Sequence, residues 1–210
     1  MKVGIIGSGN VGKALAAAAK RAGHTVTISS RHPQNAQAAA SATNTHAVNS
    51  NQEAVKDADL VILAVPMDKV DEVVGALTPE LDGKVIVDVT NRVDMTDPGK
   101  TLDGTSMAEQ IQKRAPKARV VKAFNYAFAA RMADPTVNGS RLDGFVAGDD
   151  ESAKKQALEF VKSIGFRPLD AGPLAMARAL EGMAALNMGL QVRNNWPWQN
   201  GWKLAGPPDE

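Results

Sequence analysis

The chain contains no cysteine, which removes disulfides, thiolate nucleophiles and cysteine-type zinc sites together and fits a reducing compartment. Charge of one sign is lacking too: 24 Lys+Arg stand against 23 Asp+Glu, a net charge of +1. Without a basic block there is no electrostatic footprint for nucleic acid or for an anionic membrane surface. No apolar run approaches the roughly 18 residues of a membrane span. The opening MKVGIIGSG has one lysine and a short apolar stretch broken by glycines, not the long apolar region and cleavage site of a signal peptide. A cytoplasmic protein with neither nucleic acid nor membrane as partner is expected. The three histidines, His24, His32 and His46, are too scattered to form a metal site, and no metal is expected. What is present is an ordinary globular composition, 44% hydrophobic and 22% charged over 210 residues. That excludes disorder and suits a single sizeable core, at roughly 150 residues per domain.

Short β-type runs alternate with helical patterns from the start: Val3–Ile6, Asn10–Ala22, Thr25–Ser29 and Gln34–Ser41. Such alternation marks βαβ units and a parallel sheet. Leu60–Val65 and Lys84–Val89 are nearly all apolar, as strands covered on both faces by helices should be. Arg119–Ala123 is a further strand and Thr45–Val48 a weaker one. Asp68–Leu77 sets Val70, Val73, Val74 and Leu77 on one helical stripe, and Ser50 with Glu53, like Ser106 with Glu109, has the spacing of a capping box. Six strands are followed by Phe145–Ala147, a helix over Glu151–Ile164, a strand at Phe166–Asp170 and an apolar helix from Leu174 to Gln191. The fold class is α/β: a Rossmann-type, doubly wound, mostly parallel sheet with a C-terminal helix and tail. Residues 1–170 are expected to form this sheet domain, and 171–210 a C-terminal helix and Trp-containing tail within the same folded unit.

Gly7-Ser8-Gly9-Asn10-Val11-Gly12 matches G-x-G-x-x-G directly after a strand and at the opening of a helix. Each glycine then serves a mechanical need, in turn a tight turn, a close approach of backbone to pyrophosphate, and close helix-to-strand packing. The helix N-terminus offers free N–H groups to the anion. The alternative is a flavodoxin-like turn with no cofactor. About twenty residues on, where NAD enzymes place a carboxylate for the ribose 2′-OH, the chain reads Ser29-Ser30-Arg31-His32. Arg31, with the Ser30 hydroxyl beside it, suits a 2′-phosphate instead, so NADP(H) is expected over NAD(H).

Three more strand ends point to the same edge: Ala64-Val65-Pro66, Asn91 after Asp88-Val89-Thr90, and Ala123 with Asn125. Ligand crevices of open α/β sheets lie at the carboxyl ends of strands. Asn91 and Asn125 can reach the nicotinamide carboxamide or ribose, or can equally be turn residues holding their own loops. The methionines of the last helix, Met176, Met183 and Met188, read as packing residues. Its apolar faces, and Gly182 and Gly189 seven apart, suit a homodimer. Trp196, Trp198 and Trp202 sit in a polar tail; they either anchor it or line an acceptor pocket, with Trp198 and Trp202 the pocket candidates.

Taken together, GIIGSGNVG, SSR, AVP, DVTN, KAFN and DAGPLAMARALE resemble the NADPH-dependent coenzyme F420 reductase family over nearly the whole chain. The likeness extends to bacterial paralogues and to the reductase domain of membrane ferric reductases. It implies a compact Rossmann fold, usually dimeric, passing hydride between NADP and the deazaflavin, coenzyme F420. Residue by residue, Ser8, Gly9, Asn10 and Val11 match the pyrophosphate loop, and Ser30 and Arg31 the pair reading the 2′-phosphate. Where family members can place a lysine a few residues later, this chain has Gln34 and Asn35. The leading expectation is an NADP(H)-dependent oxidoreductase with a deazaflavin or flavin as small-molecule acceptor. Hydride transfer of this kind requires no protein acid or base. A reductase of a small imine or carbonyl, or a non-enzymatic NADP-sensing module, are the alternatives.

Overall fold

The structure, a computed structural model, describes residues 1–93 and 104–206; the last four residues of the expected 171–210 unit lie outside them. Strand β1 (Lys2–Ile6) leads into helix α1 (Asn10–Arg21), then β2 (Thr25–Ser29), α2 (Pro33–Thr43), β3 (His46–Ala47), α3 (Asn51–Lys56) and β4 (Leu60–Leu63). A 3₁₀ turn at Met67–Lys69 precedes α4 (Val70–Leu77), β5 (Val85–Asp88), α5 (Met107–Arg114), β6 (Arg119–Ala123) and α6 (Ala129–Ala133). A hairpin of β7 (Thr136–Val137) and β8 (Ser140–Arg141) comes next, then β9 (Asp143–Gly148), α7 (Glu151–Ser163) and β10 (Arg167–Gly172). After a further 3₁₀ turn at Leu174–Met176, α8 (Ala177–Asn194) is the last element among the described residues.

The main sheet has the order β10-β9-β6-β5-β4-β1-β2-β3. β1 through β6 are mutually parallel, β9 runs antiparallel to β6, and β10 runs parallel to β9. Chain order reverses on either side of β1, so the crevice of such a sheet falls at the carboxyl ends of β1 and β4. The central strands β4 (LVIL) and β5 (VIVD) are buried throughout. Two apolar layers flank them, one around Leu15, Ile28, Phe124 and Phe160 and the other around Val55, Leu63, Val74 and Ile111.

Local chemistry accounts for most boundaries. Ser106 and Glu109 complete a capping box at α5, whereas at α3 Ser50 accepts the Glu53 N–H but Glu53 returns its carboxylate to the N–H of Asn49. The strand expected over 60–65 stops at Leu63, and Ala64-Val65-Pro66 forms loop at the crevice. The expected helix from Asp68 starts as a 3₁₀ turn. The β7–β8 hairpin adds to the expected elements; Asn138 and Gly139, at φ 50° and 77°, form the two-residue turn that Asn-Gly favours.

Candidate dinucleotide site

The crevice at the switch point is a cleft of about 700 Å³, within the size range of small-molecule sites. Its floor is the glycine loop. Gly7 has φ 117° and lies so close to β4 that a Cβ there would stand 2.1 Å from the Ala64 carbonyl oxygen; only glycine permits both the backbone angle and the approach. A Cβ on Gly12 would meet the Gly7 carbonyl oxygen at 2.0 Å, so this glycine seats α1 against the loop. Gly9 differs: a Cβ there would find nothing within 4 Å. The space above it is open toward the cleft, where an anion would sit.

Gly9 is also the N-cap of α1, with no side-chain cap and no acidic residue in the first turn. The N–H groups of a helix's first turn have no partners within the helix and carry its positive dipole end. They are left for a ligand. At the end of β2, Ser29 is buried and donates to the Asn51 side chain at 2.8 Å, which carries the chain out to a half-buried Ser30 and an exposed Arg31. Arg31 Nε donates to His32 Nε2 at 3.3 Å, and residues 29–32 include no carboxylate.

Of the residues expected at the site, Gly7, Ser8, Gly9, Asn10, Val11, Ser30, Arg31, Ala64, Val65 and Pro66 line this one cleft. Gly12 lies behind the loop. Val89 and Thr90, beyond β5, close the far end, as expected of that strand end, and His32, Asn51, Asp68 and Val73 add to the wall; periodicity marks Val73 as a helical core position, and no local pattern marks Asn51 or Asp68 as site residues. Asn91, Ala123 and Asn125 do not line it. Asn91 Nδ2 donates to the Asn125 carbonyl, while Asn125 Nδ2 donates to Asn91 Oδ1 and to the Leu180 carbonyl, each within 2.9 Å. The asparagines tie the β5 and β6 loops to each other and to α8. Between them Phe124 takes φ 63°, fully buried against Phe160 and Phe166, a conformation rare for an aromatic residue.

The tryptophan tail is held elsewhere. Trp202 packs on the larger apolar layer, and its carbonyl accepts the Asp143 N–H at 2.9 Å. Buried Arg167 pairs with Asp143, whose Oδ2 also accepts the Leu204 N–H at 2.6 Å. Trp198 meets Phe128 edge to face at 5.2 Å. Neither Trp198 nor Trp202 lines the cleft, because the Asp143–Arg167 pair fixes the tail at the β9–β10 side of the sheet. Met183 and Met188 pack on the core while Met176 is exposed. Among the described residues no helix is long and apolar enough to cross a membrane.

Away from the cleft, α5 and α8 are joined by Arg178, whose guanidinium meets both Glu109 oxygens. Its hydrogen bonds hold the Glu109 carboxyl down to about 2. Burial lowers His24, and the amino group of Met1 beside it acts in the same direction; burial also pushes the Tyr126 phenol up.

Comparison with known proteins places this geometry in context. Residues 2–92 match the family described as NADP oxidoreductase coenzyme F420-dependent. The chain is 30% identical over 212 residues to the F420-dependent NADP reductase of Methanothermobacter marburgensis, covering 92% of this chain and 94% of that one. It is 32% identical over 182 residues to the rat metalloreductase STEAP3, where the match takes 87% of this chain but spans only about a third, 36%, of the relative's length. The structure of a candidate F420-dependent NADP-reductase of Arthrobacter sp. FB24 superposes with a TM-score of 0.87 at 28% identity, covering 98% of this chain and 100% of that one.

Proposed function

Because the chain belongs to the coenzyme F420-dependent NADP oxidoreductase family, we propose that its acceptor is a flat deazaflavin of the F420 class or a flavin ring, stacked at the Val65–Thr90 end of the cleft. One observation carries the reading: a single cleft joins the uncapped N-terminus of α1, the arginine at the end of β2 and the open ends of β4 and β5. The residues fit NADP(H). Gly9 leaves room for a pyrophosphate, the first-turn N–H groups of α1 face it, and Arg31 with Ser30 suits the 2′-phosphate where an acid would repel it.

When bound, NADPH supplies the hydride. The chain's own residues orient and exclude: the glycine loop fixes the phosphates, Val65, Pro66 and Val89 offer apolar wall to the ring end, and Thr90 adds a polar edge. A transfer of this kind needs no protein acid or base, so orientation does the catalytic work. The same reading includes a homodimer through α8. Leu186 and Val192 there are 56% and 66% exposed, and a Cβ on Gly189 would meet nothing within 4 Å, which leaves room for a second copy; light scattering should return twice the chain mass.

The test is an anaerobic panel of deazaflavin, FMN, FAD, ferric chelates, quinones and small imines, followed by loss of NADPH absorbance. Turnover with deazaflavin or flavin is expected. NADPH binding without turnover on any acceptor would favour a sensing module, and turnover restricted to imines or carbonyls would place the chemistry in a different class.

A further inference from the structure

Directly behind the Thr90 end of the cleft lies a buried cluster of charge. Lys122 is fully buried, and its Nζ donates to Asp88 Oδ2 at 2.7 Å, Glu181 Oε1 at 2.7 Å and the Thr90 carbonyl at 2.6 Å. Asp88 Oδ1 accepts the N–H and the hydroxyl of Thr90 at 2.9 and 2.6 Å. Glu181 accepts the N–H of Met107 at 2.8 Å and that of Arg92 at 3.3 Å. The cluster thus ties α8 and β6 to the residue that closes the cleft.

Every named partner of both carboxylates is a donor. Among these contacts two carboxylates share one buried ammonium, a formal excess of one negative charge. Of the neighbouring arginines, Arg92 donates from its guanidinium to the Thr105 carbonyl, and Arg178 is matched by Glu109 on the exposed side. A buried charge is screened far less than a surface one.

We propose that this surplus negative charge sets the balance between the two cofactor forms in the cleft, with Glu181 as its positioning residue: it favours the oxidised nicotinamide over the reduced one. Loss of a hydride, two electrons and a proton, leaves the nicotinamide ring with one positive charge it did not have before. A negative charge behind the ring stabilises that product form selectively, and so makes the bound reduced cofactor a stronger hydride donor. The inference rests on NADP(H) occupying the cleft with its nicotinamide at the Thr90 end.

The experiment measures dissociation constants for NADP⁺ and NADPH with wild type, Glu181→Gln and Asp88→Asn. Each substitution is isosteric and removes one negative charge; the Glu181→Gln amide carbonyl still accepts from Lys122 and Met107. Either variant should weaken NADP⁺ relative to NADPH, changing the ratio of constants by about three- to tenfold. A purely structural role moves both constants together, and the ratio does not depend on the fraction of protein folded. An unchanged ratio in whichever variant folds overturns the inference while leaving the cofactor reading intact. Failure of wild type to bind either form removes the cofactor reading itself, and this inference with it.

Discussion

Gly9 and Gly12 lie three residues apart in one motif, and the structure gives them opposite consequences when a methyl group is added. Gly9 has φ −73°, which alanine adopts freely, and open space where its Cβ would go. Losing the flexibility of glycine in the unfolded chain contributes about 0.4–1 kcal/mol, and alanine as an N-cap costs a similar amount, so Gly9→Ala should leave the melting temperature of the ligand-free protein within about 2 °C. The methyl would instead occupy the approach to the α1 N-terminus. Loss of one charge-assisted backbone contact to phosphate, about 1.5–3 kcal/mol, weakens NADPH roughly ten- to hundredfold. Gly12→Ala meets a carbonyl oxygen at 2.0 Å. Overpacking of that kind costs about 1–3 kcal/mol or more, or roughly 2–12 °C in a chain of this size. Thermal melts of both variants without ligand, with NADPH titrations alongside, separate the two effects. If Gly9→Ala bound NADPH like wild type, or melted as low as Gly12→Ala, the division of labour in the loop would be wrong.

Other outcomes follow from the same contacts. Glu109 is held at about 2, below its ordinary 4.5, so its link to Arg178 stabilises the fold above pH about 4.5 and fades as pH falls toward 2; because Arg178 is 55% exposed, Glu109→Gln should lower the melting temperature by only about 2–4 °C at pH 7, and a gap that stays constant down to pH 2 would refute the linkage. Replacing His24, His32 or His46 should leave single-turnover hydride transfer within a few-fold; a loss of about a thousandfold at any one would mark a general acid. Trp202→Ala should lower the melting temperature by several degrees, because its ring packs on the core, with the acceptor KM unchanged. A selective rise in that KM with an unchanged melting temperature would instead put the indole over the acceptor.

The parts of the site legible in the sequence are those encoded locally. The glycine loop, the arginine after β2 and the Ala-Val-Pro strand end each depend on a few consecutive residues, and all reach the cleft. Contributions from distant segments are not legible: Asn51 and Asp68 join the wall only through the fold, and Lys122 meets Asp88 and Glu181 across separations of 34 and 59 residues. Asn91 and Asn125 carry suitable chemistry for a ligand, but pairing across two loops consumes most of it. The tail is harder to read because indole rings suit a flat acceptor as well as a core, and the Asp143–Arg167 clasp that holds it at the β9–β10 side has no local signature. The β7–β8 hairpin is a different case. Its Asn-Gly turn is present at 138–139, and strands of two residues are too short for alternation to show.

The most direct test is equilibrium binding of NADPH and NADH to wild type and to Arg31→Ala. Wild type should prefer NADPH, and Arg31→Ala should lose roughly ten- to hundredfold of NADPH affinity, the worth of one charged contact to phosphate, while NADH binding stays nearly unchanged. Equal losses for both dinucleotides, or a wild type that binds NADH as tightly as NADPH, would contradict the assignment of this cleft to NADP(H).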